Sequence, residues 1–164
     1  LDAPGKSFAD AFKAVHKLLA RAGVRFLKPA LEDTIDRHRL WTPLVIGPRD
    51  RISVHPTASV GAAILNSTSG SISIGEHAFF GQNVIIAAGT HDTSLRGHSR
   101  YVDLPRTGHD IVIGAGAWVA SGAVIIGPCV IGEDSVVGAG SIVTHDVAPR
   151  TLVAGVPARF VRNV

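Results

Sequence analysis

His91 is the residue of this chain best suited to moving a proton. A neutral imidazole, with an unperturbed pKa of about 6.5, is ready to accept one near pH 7. It opens a 21-residue stretch, DTSLRGHSRYVDLPRTGHDIV (92–112), that breaks the regular sequence on either side of it. The stretch holds His98, His109, Arg96, Arg100, Arg106 and Tyr101. A long segment that leaves beside a histidine and returns to the same register reads as an excursion that closes over or builds a site. Asp92 either orients the His91 ring or is a solvated carboxylate. His55, His77 and His145 fall at turn-like positions and read as solvated. The single cysteine, Cys129, falls at a small-residue core position with nothing cationic close in sequence, so it reads as a structural thiol. With no well-placed nucleophile, the set supports general-base chemistry, in which His91 deprotonates a group that then attacks directly.

The elements that position this histidine follow a six-residue beat. Ile113, Val119, Ile125, Ile131, Val137 and Val143 recur at every sixth position, and four residues after each stand Ala117, Ala123, Cys129, Ser135, Ser141 and Val147. Neither the helical period nor strand alternation produces this spacing. A parallel β-helix does, because each flat face takes one hexapeptide and turns the aliphatic residue inward. Val54 with Ala58, Val60 with Ile64, Ile74 with Ala78, Phe80 with Val84 and Ile86 with Thr90 extend the beat backwards. Gly61, Gly75, Gly81, Gly114, Gly132 and Gly138 follow the aliphatic position, where a turn wants little bulk. Three hexads make a coil of eighteen residues, so 74–91, 113–130 and 131–148 are full coils, and 54–73 is a fourth with two extra residues around Leu65 to Ser71. The expectation is a mainly β protein, a parallel β-helix of about four coils with N-terminal helices and an excursion loop at 92–112.

The first 45 residues are different material. Phe8, Phe12, Val15, Leu18 and Leu19 recur at helical spacing behind a capping-box-like Ser7 and Asp10, and Gly23 is a plausible stop. Pro29 opens a second helix through Arg39, with Leu31 and Ile35 on one side. These helices are expected to cap the open first coil or pack on a neighbouring subunit rather than form a separate binding module, since the segment is too short for its own core. The organisation expected is a helical cap at 1–45, a β-helix domain at 46–148 and a C-terminal tail at 149–164 packing on it.

Length, at 164 residues, suits one compact unit. The formal charge of +3 comes without a long basic run, so it is weak evidence for nucleic acid and suits an anionic cofactor equally well. No stretch approaches eighteen apolar residues, which argues against a membrane span. The start of the sequence lacks the pattern of a secretory signal, and a cytoplasmic location is expected.

Four segments carry a family resemblance: GTHD (89–92), IGAGAWVASGAVI (113–125), VVGAGSIVTHD (136–146) and AGVPAR (154–159). In this order they resemble the hexapeptide-repeat acyltransferases, closest to the maltose, galactoside, nodulation-factor and colanic-acid O-acetyltransferases, over roughly residues 54–164. The resemblance implies a left-handed parallel β-helix, a homotrimer with active sites between neighbouring subunits, and acetyl-CoA as acyl donor with no metal required. The acceptor it implies is a sugar hydroxyl on a saccharide, polysaccharide or glycolipid precursor.

The same resemblance assigns residues. His91 stands at the family's essential histidine, and Ser121 at the position that helps hold the thioester carbonyl. Trp118 lies near acceptor and thioester, or covers a corner. Asp92 and His109 are placed towards the acceptor, His109 matching a histidine of the serine acetyltransferases. Those enzymes also carry an Asp-His pair in an earlier coil, where this chain has Asn66 and Ser67. Ala139 and Thr144 match backbone positions along the pantetheine groove, where small side chains let the arm lie close. Arg159 and Arg162 match basic residues near the cofactor phosphates, whose oxygens suit a forked guanidinium; for Arg162 a solvated tail charge is an equal reading. Amino-sugar N-acetylation needs the same base and donor. A γ-class carbonic anhydrase-like zinc enzyme shares the β-helix, but the chain lacks the histidine spacing of that group.

Overall fold

The computed structural model describes residues 42–164, together with Lys13–Val15 and Lys17, which are helical. The chain divides into two units, Leu1–Arg39 and Leu40–Val164. Apart from those four helical residues, the helices expected at 1–45 lie outside the described residues.

The second unit is a triangular prism of short parallel strands. One face, here A, stacks β1 (Leu44–Ile46), β3 (Ile64–Asn66), β6 (Ile85–Ala87), β9 (Val124–Ile126) and β12 (Ile142–Val143). Face B stacks β2 (Ile52–Val54), β4 (Ile72–Ile74), β7 (Ile111–Ile113) and β10 (Cys129–Ile131). Face C stacks β5 (Phe79–Phe80), β8 (Trp118–Val119), β11 (Val136–Val137), β13 (Thr151–Gly155) and β14 (Ala158–Asn163). Registers such as Ile113↔Ile131, Val119↔Val137 and Ile125↔Val143 repeat at eighteen residues. The chain visits B, C and A in turn, so each coil makes three corners.

The beat predicts the interior. All six aliphatics from Ile113 to Val143, and all six residues four places on, are buried. The first coil deviates from the expected register: Leu65 turns inward and is 1% exposed, whereas Ile64 stands on the outer side, half-buried. Val60 to Leu65 is therefore one residue short of a hexad, and the surplus of the coil falls after Leu65.

The glycines after the aliphatic position meet the expected demand for little bulk: at Gly75, Gly81, Gly114, Gly132 and Gly138 a Cβ would come within 3.0 Å of the next coil, and Gly61 itself takes the left-handed turn with φ +49°. Gly114 has ordinary backbone, but a Cβ there would lie 2.6 Å from Glu133 N, so it is required by close coil stacking. In the later coils the left-handed turn position is shared by His77, Gly116 and Asp134 on the B–C corner, and by Asn83, Gly122 and Gly140 on the C–A corner. These are the residue types that tolerate positive φ at least cost.

The expected tail at 149–164 is a hairpin. Its first strand, β13, continues face C in parallel register with β11, Val153 facing the interior beyond Val137, and β14 returns antiparallel. Among the described residues no helix is long and apolar enough to cross a membrane.

Candidate active site

The excursion leaves the prism at the A–B corner of the second coil, and His91 stands at its root. The lead-in is tightly specified. A Cβ on Gly89 would collide with the side chains of Asn66 and Thr68, so only glycine lets the strand pass over the first coil there. Asn66 is itself fixed, its Oδ1 accepting from the amide (3.1 Å) and hydroxyl (2.8 Å) of Thr68. Thr90 follows, its N–H donating to Ser69 Oγ at 3.1 Å while its carbonyl accepts from the same hydroxyl at 3.3 Å.

The His91 side chain is exposed, and its Nδ1 lies 2.8 Å from the carbonyl oxygen of Arg100. A carbonyl can only accept, so Nδ1 carries the proton; in the neutral ring Nε2 then holds the free lone pair. None of the hydrogen bonds among the described residues engages Nε2. Orientation of the ring thus falls to Arg100 and not to Asp92. Asp92 Oδ1 accepts from the hydroxyl (2.6 Å) and amide (2.8 Å) of Ser94, and these bonds, with Arg100 nearby, hold its carboxyl below the usual range.

The excursion is folded by its own arginines. It contains one short helix, α1 (Gly97–Val102). Arg96 Nη1 donates to the carbonyls of Thr93, Ser94 and Leu95, and Arg100 reaches the carbonyls of Leu95 (2.8 Å) and Thr93 (3.2 Å). The return limb is latched to the first coil. Arg51 Nη1 donates to Arg106 O at 2.8 Å, and Asp110 Oδ1 accepts from both the amide and hydroxyl of Ser71 at 2.7 Å. Those Ser71 bonds lower the Asp110 carboxyl. His109 donates its N–H to Ser69 O (3.3 Å) and sets Nδ1 3.3 Å from Gly127 O, which fixes the same tautomer as in His91. A pocket of about 410 Å3 is lined by Asp92, Asp103, Arg106 and the apolar Leu95, Val102, Leu104 and Pro105.

The remaining expected residues lie elsewhere on the prism. Ser121 and Ala139, one coil apart, share the C–A corner, where Ser121 Oγ accepts from Gln82 N at 3.1 Å and Gly140 N donates to Ser121 O. The whole of face A separates that corner from His91. Thr144 is on the A–B corner, at the opposite end of β12 from Ala139, with its Oγ1 2.8 Å from His145 Nδ1. Trp118 lies on the outside of face C, stacked on Phe79 with centroids 5.8 Å apart. Arg159 and Arg162 are on β14, exposed, and each donates to a carbonyl one residue away. A second pocket, of about 340 Å3, brings Thr144 and Arg159 together at the last coil, with Val143, Val153 and Phe160 in its wall. The described residues thus bring His91, Asp92 and His109 to one corner, and Thr144 and Arg159 to one pocket. Arg100 as the ring's anchor, Ser69 as the anchor of Thr90 and Phe79 as the partner of Trp118 were not legible in the spacing. Only the surplus residues of the first coil pointed towards Ser69.

Residues 110–145 match the family model described as bacterial transferase hexapeptide (six repeats). A galactoside O-acetyltransferase of Escherichia coli is 41% identical over 88 residues, covering 51% of this chain and 43% of the relative. A serine acetyltransferase of Mycobacterium tuberculosis is 35% identical over 112 residues, covering 67% of this chain and 45% of the relative. The chain spans less than half the length of these curated relatives. Among solved structures, a hexapeptide-repeat acetyltransferase from Vibrio cholerae complexed with acetyl coenzyme A superposes with a TM-score of 0.52 at 26% identity, over 82% of this chain and 77% of the other. The prism is the left-handed parallel β-helix of these proteins.

Proposed function

The β-helix of this chain belongs to the hexapeptide-repeat transferases, and from that premise we propose that the protein is an acetyl-CoA-dependent O-acetyltransferase acting on a sugar hydroxyl. The observation that carries the reading is the state of His91: Nδ1 is held protonated on the Arg100 carbonyl, which leaves Nε2 as the base. Nε2 takes the acceptor's hydroxyl proton as the oxygen attacks the thioester carbonyl. The tetrahedral centre then collapses, the carbon–sulfur bond breaks, and the imidazolium returns its proton to the departing CoA sulfur. Cys129 is no competitor as a nucleophile: burial, with Asp146 nearby, pushes its thiol up to about 12, and Sγ donates to His145 O.

A donor site is supported on two sides. The pocket at the last coil offers the Arg159 guanidinium for phosphate oxygens beside Thr144. The C–A corner offers the small side chains Ser121 and Ala139, along which a pantetheine arm fits. Because His91 and Ser121 sit at opposite edges of face A, one protomer would supply the base and its neighbour the thioester-holding serine, in a homotrimer. The outside of face A supports such a contact, since Leu44, Ile64, Ile85, Val124 and Ile142 form one unbroken aliphatic row across five paired strands.

The test is a CoA-release assay with acetyl-CoA and longer acyl-CoAs against sugars, amino sugars and L-serine. Sugar-dependent release that falls about 10²- to 10⁴-fold in His91→Ala, with CoA binding retained, is the expected result. Turnover retained in that variant removes His91 from its role. Release only with amino sugars makes the enzyme an N-acetyltransferase, and release only with L-serine overturns the sugar assignment.

A further inference from the structure

The surplus of the first coil is concentrated between Ser67 and Ser71, and at its centre Ser69 is completely buried, at 0% exposure. The backbone ladder between β3 and β6 runs past the ends of both strands as far as the bond from Ser69 N to Ala88 O, 3.2 Å, and stops there, because the next residues of the second coil turn away into the excursion. Thr90, two residues on, therefore has no strand partner for its N–H. The Ser69 hydroxyl takes that place: it accepts from Thr90 N and donates its single proton to Thr90 O. Both backbone polar groups of the residue preceding His91 end on one buried side chain. The carbonyl of Ser69 meanwhile accepts from His109 N. One residue holds the root where the excursion leaves and the root where it returns.

We propose that Ser69 is a positioning residue for the reaction: by fixing the backbone at Thr90 it aims the His91 ring, whose remaining freedom the Arg100 carbonyl removes. It touches neither acceptor nor acyl donor. A serine is required because the site needs a donor and an acceptor on one short side chain, in a space that admits little more. The inference rests on the acetyltransferase reading only for its kinetic consequence, since the anchoring itself is open to direct measurement.

Ser69→Ala deletes both bonds to Thr90 and leaves the backbone bond to His109. With an acceptor identified by the CoA-release assay, kcat is expected to fall about 10-fold, the scale of a small misplacement of a catalytic group, while KM for acetyl-CoA stays within about twofold. The Thr90 amide should exchange faster with solvent, and the ¹⁵N signature of the His91 ring should lose its fixed Nδ1–H tautomer. Ser69→Cys, slightly larger and keeping only a weak donor and acceptor, should fall between the wild type and Ser69→Ala. A merely structural role predicts something else, a lower melting temperature with kcat per folded molecule and the His91 ring signals unchanged, and that result overturns the proposal. If Ser69→Ala fails to fold, the wild-type protein decides: Thr90 amide exchange at the rate of an open loop overturns the anchoring, and protection supports it. Absence of acetyl transfer by the wild type to every acceptor would remove the acetyltransferase reading, whereas the amide and ring measurements would still report on Ser69.

Discussion

The coil from Ile111 to Pro128 and the one stacked on it keep the eighteen-residue register; the chain before them, from Leu44 to Asp110, breaks it twice. The two regions use most of their buried hydroxyls differently, although Ser141 in the regular part also reaches along the chain, its Oγ accepting from Gly155 N at 3.1 Å. In the regular part Ser135 and Thr151 each bond a carbonyl three residues back, tying off a local turn. In the irregular part Ser67 Oγ reaches Pro48 O at 2.7 Å, nineteen residues away, and Ser69 spans twenty-one residues to Thr90. Regular stacking satisfies most of its backbone by the ladder, with a few side-chain bonds such as Val130 N to Asp146 Oδ1 at 2.8 Å, so its interior can be largely aliphatic. Where the register breaks, orphaned backbone groups need side chains, and those side chains also fix what the break carries. The excursion and His91 sit on that break.

If the regular coils serve stability and the break serves chemistry, the largest effect should come from the interior of the former. Ile131→Ala is expected to cost about 2–5 kcal/mol, read as a lower denaturation midpoint, with CoA-releasing activity per folded molecule unchanged. An equal loss of specific activity would break the division. On the other side, Gly89→Ala forces a Cβ against Asn66 and Thr68 beneath the His91 corner. Specific activity should drop by about 10-fold or more while the midpoint moves less than in Ile131→Ala. Arg159→Ala sharpens the contrast from the C-terminal hairpin: CoA affinity should weaken about 10-fold, the scale of one charge-assisted contact, with kcat at saturating donor unchanged. Unaltered affinity would remove that phosphate contact.

The smallest effects concern pH, and they separate the two regions by sign. Asp92 and Asp110, both in the irregular part, have carboxyls held below the ordinary 3.8 by Ser94 and Ser71. Their stabilisation is complete above that value and is lost as pH falls below it, so the Ser94 and Ser71 amide resonances should shift only in strong acid. Cys129, between the regular coils, is raised from an ordinary 9.0 to about 12. Its neutral form is the one the fold favours, so stability is retained below 9 and lost as pH climbs towards 12, and iodoacetamide should label the native thiol slowly at neutral pH.

Much of this protein was legible because its physics is periodic. A hexad that places Ile113, Val119 and Ile125 on three successive faces needs no tertiary information, and the exit of the chain beside His91 was visible as a loss of period. What escaped was local and non-periodic. Ile64 and Leu65 are adjacent aliphatics, and only the stacking on Ile85 and Ile86 decides which of them turns inward. The holder of the His91 ring is a backbone carbonyl, which has no letter in the sequence. Asp92, adjacent and of the right chemistry, could be read from the sequence either as the ring's partner or as a solvated carboxylate, and an Asx turn with Ser94 claims its carboxylate.

The sequence by itself determined the prism, its coil length and the corner at which it is interrupted, because inward and outward positions follow from side-chain size and polarity repeated in register. The tertiary structure alone decided that Ser69 and Arg100, from a neighbouring coil and from within the excursion, meet at Thr90 and His91. Those contacts are made by single hydroxyl and carbonyl groups twenty-one and nine residues away along the chain, and only its folded path sets their distances.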